Sequence, residues 1–289
     1  MARTVDDAFE TLIGWLKPSE AETNSAASHR ASIEACLKSN FDMTSMFRSG
    51  SFGHGTSVSG YSDIDYFANI PAGKLWDSSD YTLQQVKKAL QGRFPYTTIS
   101  VRSPVVIIPF GGGGVGERHE IAPAHTNGTK NGYTVYSIPN RNDGWMDASP
   151  NAHNAWVNGI NDKHSKKVKQ LIRLLKYWNY LNGSEIRSFY LELRTAEYAD
   201  GEATILYNYD VKGVFSRLIN KDLAAMQDPQ GISGMVQPCS SAVKPTALSK
   251  LRTAYTRADN AITAERENRI SDAFAWWDKV FNGKFPAYY

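Results

Sequence analysis

The sequence lacks several features that mark particular classes of protein. Its 289 residues include only two cysteines, Cys36 and Cys239, which lie far apart and without metal-ligand spacing. Neither a disulfide framework nor a zinc site is therefore expected. No apolar run approaches the roughly 20 residues of a membrane span, and the N-terminus lacks the basic-then-apolar order of a signal peptide. These absences predict a cytoplasmic protein without a membrane partner.

The chain also lacks a strong charge of either sign. Its formal net charge is +3, which is compatible with a local basic pocket for phosphates but falls short of the bias of a dedicated nucleic-acid binder. No stable nucleic-acid partner is expected. The 42% of hydrophobic residues and 21% of charged residues are ordinary values for a globular chain, so a sizeable core is predicted.

The pattern of the sequence changes near residue 150. Short β-favouring runs occur between residues 44 and 123, together with one helical pattern from about residue 79 to 94, whereas the later part is helical throughout. Gly111–Gly114 lie between two strand candidates and predict a hairpin turn. We interpret the chain as an α+β protein with two domains, 1–148 and 149–289, and expect a ligand in a cleft between them.

Two aspartates lie at the start of one of the β-favouring runs, one just before the run and one at its second position. Asp63 and Asp65 are two positions apart, so on a strand they point to the same face with backbones about 6.5–7 Å apart. Like charges on one face repel unless a cation lies between them, which favours Mg²⁺ bound by oxygen ligands. About twelve residues upstream, Gly50 and Ser51 offer backbone N–H groups and a hydroxyl that suit a phosphate.

A third carboxylate is expected from a neighbouring strand, because two Mg²⁺ ions need more than two bridging ligands. Glu120 is the candidate, at the end of the strand after the glycine turn. Glu117 is three residues earlier and should face the other way on a strand. An exposed edge glutamate is the alternative reading of Glu120.

A helix in the second domain supplies a basic residue in an apolar setting. Lys166, Lys169, Arg173 and Lys176 fall on one side of this helix, and for most of them a solvated basic face is the simpler interpretation. Lys176 differs because apolar residues surround it in sequence, so it could reach from a packed wall towards a triphosphate. Ser188 follows, where its hydroxyl could join Lys176, and an adjacent aromatic ring could stack on a base.

Four stretches together resemble a known family. They read SMFRSGSFGHGTSVSGYSDIDYF from residue 45, HEIAPA from residue 119, VKQLIRLLKYWN from residue 168 followed by IRSFYLE, and AFAWWDKVFNGKFP from residue 273. In this order and spacing they resemble the cGAS/DncV-like nucleotidyltransferases of bacteria (CD-NTases, the SMODS family), relatives of the oligoadenylate synthetases. The resemblance implies a polymerase-β-like nucleotidyltransferase core, which is a mixed sheet flanked by helices, with a C-terminal helical bundle that completes the nucleotide pocket.

The resemblance also implies a role for each site residue. Asp63, Asp65 and Glu120 would be catalytic and would bind two Mg²⁺ ions, with Mn²⁺ as a substitute. The third acid is commonly aspartate in this family, and glutamate adds one methylene group. Five residues would bind the nucleotide through its triphosphate and its base: Gly50, Ser51, Lys176, Ser188 and Phe189.

The implied activity is the joining of NTPs into a cyclic di- or trinucleotide with release of pyrophosphate. ATP is the expected substrate, with GTP, UTP or CTP as further candidates. The product would be a second messenger that activates a downstream effector in antiphage (CBASS) signalling, and the enzyme would be a monomer. Two alternatives stay open: transfer of NMP to RNA or protein, and a binding protein that keeps the fold without chemistry.

Overall fold

The computed structural model describes residues 3–18, 20–110 and 117–289, without the side chains of residues 21–26. The predicted turn at Gly111–Gly114 lies outside these described residues. Contacts along the chain divide it into two compact units. The unit that we call the sheet unit comprises Pro18–Ala155 and Gln230–Gly234, and the helical unit comprises Met1–Lys17, Trp156–Pro229 and Met235–Tyr289.

The helices and strands alternate in the first half of the chain, and helices dominate the second half. In chain order they are α1 (Val5–Trp15), α2 (Glu20–Phe41), β1 (Ser45–Arg48), α3 (Gly50–His54), β2 (Ile64–Asn69), α4 (Ser79–Arg93), β3 (Ser100–Arg102), β4 (Val105–Phe110), β5 (Glu117–Lys130), β6 (Tyr133–Pro139), β7 (Trp145–Ala148), α5 (Pro150–Lys163), α6 (Val168–Asn182), α7 (Ser188–Asp200), α8 (Tyr207–Asn220), β8 (Met226–Gln227), β9 (Met235–Val236), α9 (Lys244–Arg266) and α10 (Ile270–Val280).

A mixed sheet forms the centre of the sheet unit. Within the described residues it has seven strands, in the order β1-β2-β5-β4-β3, with β6 and β7 continuing from β5. β2 and β5 are parallel, whereas the other neighbours are antiparallel. The sequence indicated a strand only from Glu117 to Ala122, but β5 continues to Lys130 because its second half pairs with β6. Neither β6 nor β7 was predicted.

The two faces of this sheet carry different layers. Ile64 and Tyr66 of β2 pack on one face against buried side chains of α2 and α4, such as Leu37 and Leu83. The opposite face carries a smaller apolar cluster that includes Phe67. Because successive residues of a strand point to opposite faces, Asp63 and Asp65 share their face with Phe67. The apolar core on the first face thus orients the two aspartates towards the second.

The helical unit is built around α6, which buries an apolar stripe that includes Leu171, Leu175 and Trp178. The first helix also belongs here: the ring of Phe9 in α1 lies 4.9 Å from that of Trp277, edge to face. The sequence grouped residues 1–17 with the catalytic core. The structure differs because the amphipathic face of α1 is covered by the C-terminal helices, whose position the local pattern does not reveal.

None of the helices in the described part of the chain is both long and apolar enough to span a membrane.

Candidate active site

The three predicted carboxylates lie together at the beginning of β2. Asp65 is opposite Glu120 in the parallel register of β2 and β5, and Asp63 comes two residues before Asp65. Equal positions on neighbouring strands share a face, so the carboxylates point to the side of the sheet away from the main core. Glu117 is on the other side, where it contacts His119, as its spacing predicted.

The electrostatics of the site show an excess of negative charge. Burial, and next the neighbouring charge of Glu120, raise the pKa of Asp63 to about 6, against the lowering effect of Arg118 and Arg102. A raised carboxyl pKa means that the folded protein disfavours the ionised form. A divalent cation bound by oxygen ligands would relieve this cost, so the three side chains fit the Mg²⁺ ions that the family resemblance implies.

Two arginines, which the sequence analysis missed, partly neutralise the carboxylates. Arg118 Nη2 donates to Glu120, and Arg118 Nε lies 3.3 Å from Asp63 Oδ1 as an ion pair without hydrogen-bond geometry. Arg102 Nη2 donates to Glu120 Oε1 over 3.0 Å. Arg118 could have been identified from the sequence, because a residue two positions before Glu120 shares its face of the strand. Arg102 lies in β3, and its position beside Glu120 follows only from the order of the strands in the sheet.

The turn after β1 packs directly on the aspartates, and its shape explains the glycine. Gly50 has a φ of 54°, in the left-handed region, and a Cβ added there would lie 2.0 Å from Asp65 Oδ2. Only glycine permits both this conformation and this approach. Ser51 follows as the second residue of α3 and is half-buried. The structure therefore places Gly50 directly beside Asp65, with Ser51 next to it in the chain.

The remaining predicted residues lie in the helical unit, along the seam between α6 and α7. Lys176 is 1% exposed, and its Nζ donates to Glu192 Oε2 over 2.6 Å. One helical turn away, the hydroxyls of Tyr180 and Ser188 lie 3.2 Å apart. Lys176 and Ser188 thus line the same seam. Lys176 differs from the expectation in being buried in an ion pair, because α7 presents Glu192 to it.

Glu192 was missed by the sequence analysis, although a signal existed. It lies four residues after Ser188, and residues four apart share a face of a helix. Phe189 is half-buried in the first turn of α7. Its predicted stacking on a base remains a prediction.

A family model and known proteins match the chain. The model for the Second Messenger Oligonucleotide or Dinucleotide Synthetase (SMODS) domain matches residues 3–161. A protein of Bacillus cereus named "Probable cyclic nucleotide synthase" is 27% identical over 173 residues, which cover 58% of this chain and 52% of the relative. The matched segment therefore spans about half the length of that relative. A cyclic AMP-AMP-AMP synthase of Acinetobacter is 23% identical over an alignment that covers 98% of this chain and 86% of the relative.

Solved structures share the fold. CdnC of E. coli MS115-1, solved with ATP, superposes with a TM-score of 0.75 at 18% identity, covering 98% of this chain and 99% of that one. The DncV cyclic AMP-GMP synthase of Vibrio cholerae, solved with the linear intermediate pppA(3′,5′)pG, superposes with a TM-score of 0.77 at 13% identity, covering 95% and 93%. At these identities the likeness concerns the fold alone.

Proposed function

Because the chain belongs to the Second Messenger Oligonucleotide or Dinucleotide Synthetase family, we propose that it is a nucleotidyltransferase that joins NTPs into a cyclic di- or trinucleotide. The observation that carries this proposal is the convergence of Asp63, Asp65 and Glu120 on one face of the sheet, beside the turn at Gly50. A protein that kept the fold only for binding would have no need of three carboxylates at the same edge.

The carboxylates would bind two Mg²⁺ ions, or Mn²⁺ in their place. Bound ions of this kind lower the pKa of an attacking hydroxyl and neutralise the charge of the phosphates. The raised pKa of Asp63 supports this assignment, since the folded chain disfavours the ionised side chain unless positive charge is nearby. Arg118 and Arg102 supply part of that charge in the protein itself.

In the proposed reaction, a ribose hydroxyl oxygen of one nucleotide forms a bond to the α-phosphorus of an NTP. The bond between the α-phosphorus and the bridging oxygen breaks, and pyrophosphate leaves with the bonding electrons. Glu120 would accept the hydroxyl proton. A second transfer within the linear intermediate would close the ring.

The backbone and hydroxyl of Gly50 and Ser51 would bind the donor triphosphate. Lys176 and Ser188 are the further residues that we propose bind the nucleotide. Phe189 would stack on the donor base. The names of the relatives support adenine as one base, since one makes cyclic AMP-AMP-AMP and another was solved with ATP. We therefore propose ATP as a substrate, with GTP, UTP or CTP as further candidates. The product would act on an effector in antiphage signalling, and the enzyme would work as a monomer.

The test is a product assay with all four labelled NTPs and Mg²⁺ or Mn²⁺, followed by phosphatase and mass spectrometry. A phosphatase-resistant cyclic product is expected from the unaltered chain, and none from Asp63→Asn combined with Asp65→Asn. Asp77→Asn, at an exposed aspartate of the same unit, is the matched control and should keep the activity. Label found only in added RNA or protein, or synthesis retained by the double variant, would refute the proposal.

A further inference from the structure

A second group of metal-ligating side chains lies on the opposite face of β5 from the catalytic carboxylates. Glu117 and His119 alternate with Arg118 and Glu120 along the strand, so they point the other way. There they meet His29 of α2, and one ligand atom from each of the three side chains lies within 4.8 Å of the other two. In the part of the chain that the structure describes, this is the one group of three such residues that meets this distance.

The aromatic surroundings hold both histidine rings in place. The His29 ring is stacked flat on Phe110, with centroids 3.8 Å apart and planes 2° from parallel. The His119 ring is completely buried; it is stacked on Tyr66 at 5.6 Å and meets the edge of Phe110 at 5.3 Å. Because the core fixes these rings, their nitrogens are oriented before any ligand arrives, which is what a metal site requires of its ligands.

Both histidines direct a nitrogen at the same atom. His29 Nδ1 lies 3.0 Å from Glu117 Oε1, and His119 Nε2 contacts that same oxygen. One competing explanation is a hydrogen-bonded bridge, in which two neutral imidazoles each donate to the carboxylate. The same three atoms lie within 4.8 Å of one another, so small shifts of the side chains would let all of them contact one ion in place of the bridging protons. The metal titration described below distinguishes these two explanations.

The ligand types indicate which ion would bind. Two imidazole nitrogens with one carboxylate oxygen is a set used for zinc, with a fourth position left to water. Imidazole suits zinc and similar transition metals, whereas Mg²⁺ prefers oxygen ligands throughout. The His29 side chain is 39% exposed, so an ion has a route from solvent. The spacing of the two cysteines argued against a zinc site, but this group binds through histidine and glutamate and needs no cysteine.

We propose that His29, Glu117 and His119 form a transition-metal site with the ligand preferences of Zn²⁺. An ion bound there would link α2 to the beginning of β5, the strand that also carries Glu120. The site is separate from the proposed reaction, because the sheet lies between it and the catalytic carboxylates. The proposal of this metal site does not depend on the proposed function.

The test uses the full chain carrying Asp63→Asn and Asp65→Asn, so that the catalytic carboxylates contribute little metal binding. The protein is stripped with a chelator, dialysed and titrated with Co²⁺, whose visible absorption reports nitrogen ligands in a low-coordinate site. We expect one equivalent of Co²⁺ to give this band, Zn²⁺ to displace it, and a large excess of Mg²⁺ to leave it unchanged. A Zn²⁺-dependent rise in the thermal unfolding midpoint should accompany the band.

Two variants identify the ligands. His29→Gln and Glu117→Gln in this background should each weaken Co²⁺ binding at least 100-fold. His29 is partly exposed, and the glutamine at 117 keeps the shape of the glutamate, so both variants should fold, as circular dichroism will verify. His164→Gln, at a partly buried histidine of the helical unit, is the control and should bind as before. Absence of a one-to-one band, or affinity unchanged by both ligand variants, overturns the proposal in favour of a hydrogen-bonded bridge.

Discussion

Neutralising Asp63 should stabilise the protein when divalent ions are absent. Its pKa is raised from 3.8 to about 6, chiefly by burial and next by Glu120. A carboxyl group with a higher pKa in the folded than in the unfolded state favours folding in its protonated form. The stability that it contributes is therefore fully present below about pH 4 and is lost as the pH rises through about 6. Asp63→Asn is uncharged at every pH and should not show this loss.

The magnitude follows from the pKa. A rise from 3.8 to about 6 corresponds to about 3 kcal/mol at about 1.4 kcal/mol per pH unit. The side chain of Asp63 is 36% exposed, so solvent screens the interaction, and the variant also loses the ion pair with Arg118. After both discounts we expect Asp63→Asn to raise the free energy of unfolding by about 1 kcal/mol at pH 7.5.

The assay is urea unfolding between pH 4 and pH 8 in the presence of a chelator, for the unaltered chain, Asp63→Asn and the control Asp77→Asn. The first two free energies of unfolding should coincide near pH 4 and separate between pH 4 and 6, whereas the control should follow the unaltered chain. Added Mg²⁺ should reverse the order, because the unaltered chain retains the full set of carboxylates. A variant that is less stable throughout, or a difference that does not change with pH, would refute the reasoning.

Three further predictions concern neighbouring side chains. Gly50→Ala should lower the free energy of unfolding by about 1–3 kcal/mol, because its Cβ would collide with Asp65 at a backbone conformation that alanine disfavours; urea unfolding measures this, and an unchanged midpoint would contradict it. Lys176→Met should lower the free energy of unfolding by about 3–5 kcal/mol, because it leaves Glu192 buried without this cation. Adding Glu192→Leu should restore most of the stability. It should not restore nucleotide binding, which calorimetry with ATP will measure. Arg118→Gln should lower stability without divalent ions and enlarge the thermal stabilisation by Mg²⁺, because it removes a cation that contacts two of the carboxylates; an unaltered response to Mg²⁺ in a thermal-shift assay would count against this.

The local patterns predicted much of the fold. The family resemblance is confirmed by the match over residues 3–161, and the α+β class with a mixed sheet is confirmed by the structure and its likeness to CdnC and DncV. The helix predicted from about 79 to 94 is observed at Ser79–Arg93, because its apolar spacing is a local feature. Its N-cap is Ser78, one residue before the serine that the sequence suggested. Residue alternation likewise separated Glu120 from Glu117.

Other features depend on partners that are distant in sequence. The second half of β5 is polar and exposed, and it is a strand because β6 pairs with it. The packing of α1 in the helical unit depends on Trp277, which is more than 250 residues away in the chain. Hydrogen bonds between strands and contacts between distant helices leave no local periodicity, so the sequence pattern contains no record of them.

The sequence by itself determined the arrangement of the carboxylates at the beginning of β2: Asp63 and Asp65 share a face because a strand repeats every two residues, and the motifs around them indicated the family. Only the tertiary structure decided which charges accompany them. It set Arg102 beside Glu120, paired Lys176 with Glu192 inside the helical unit, and brought His29 to the strand behind the carboxylates. The physical reason is that burial and charge neutralisation depend on distances through space, which the order of residues along the chain does not contain.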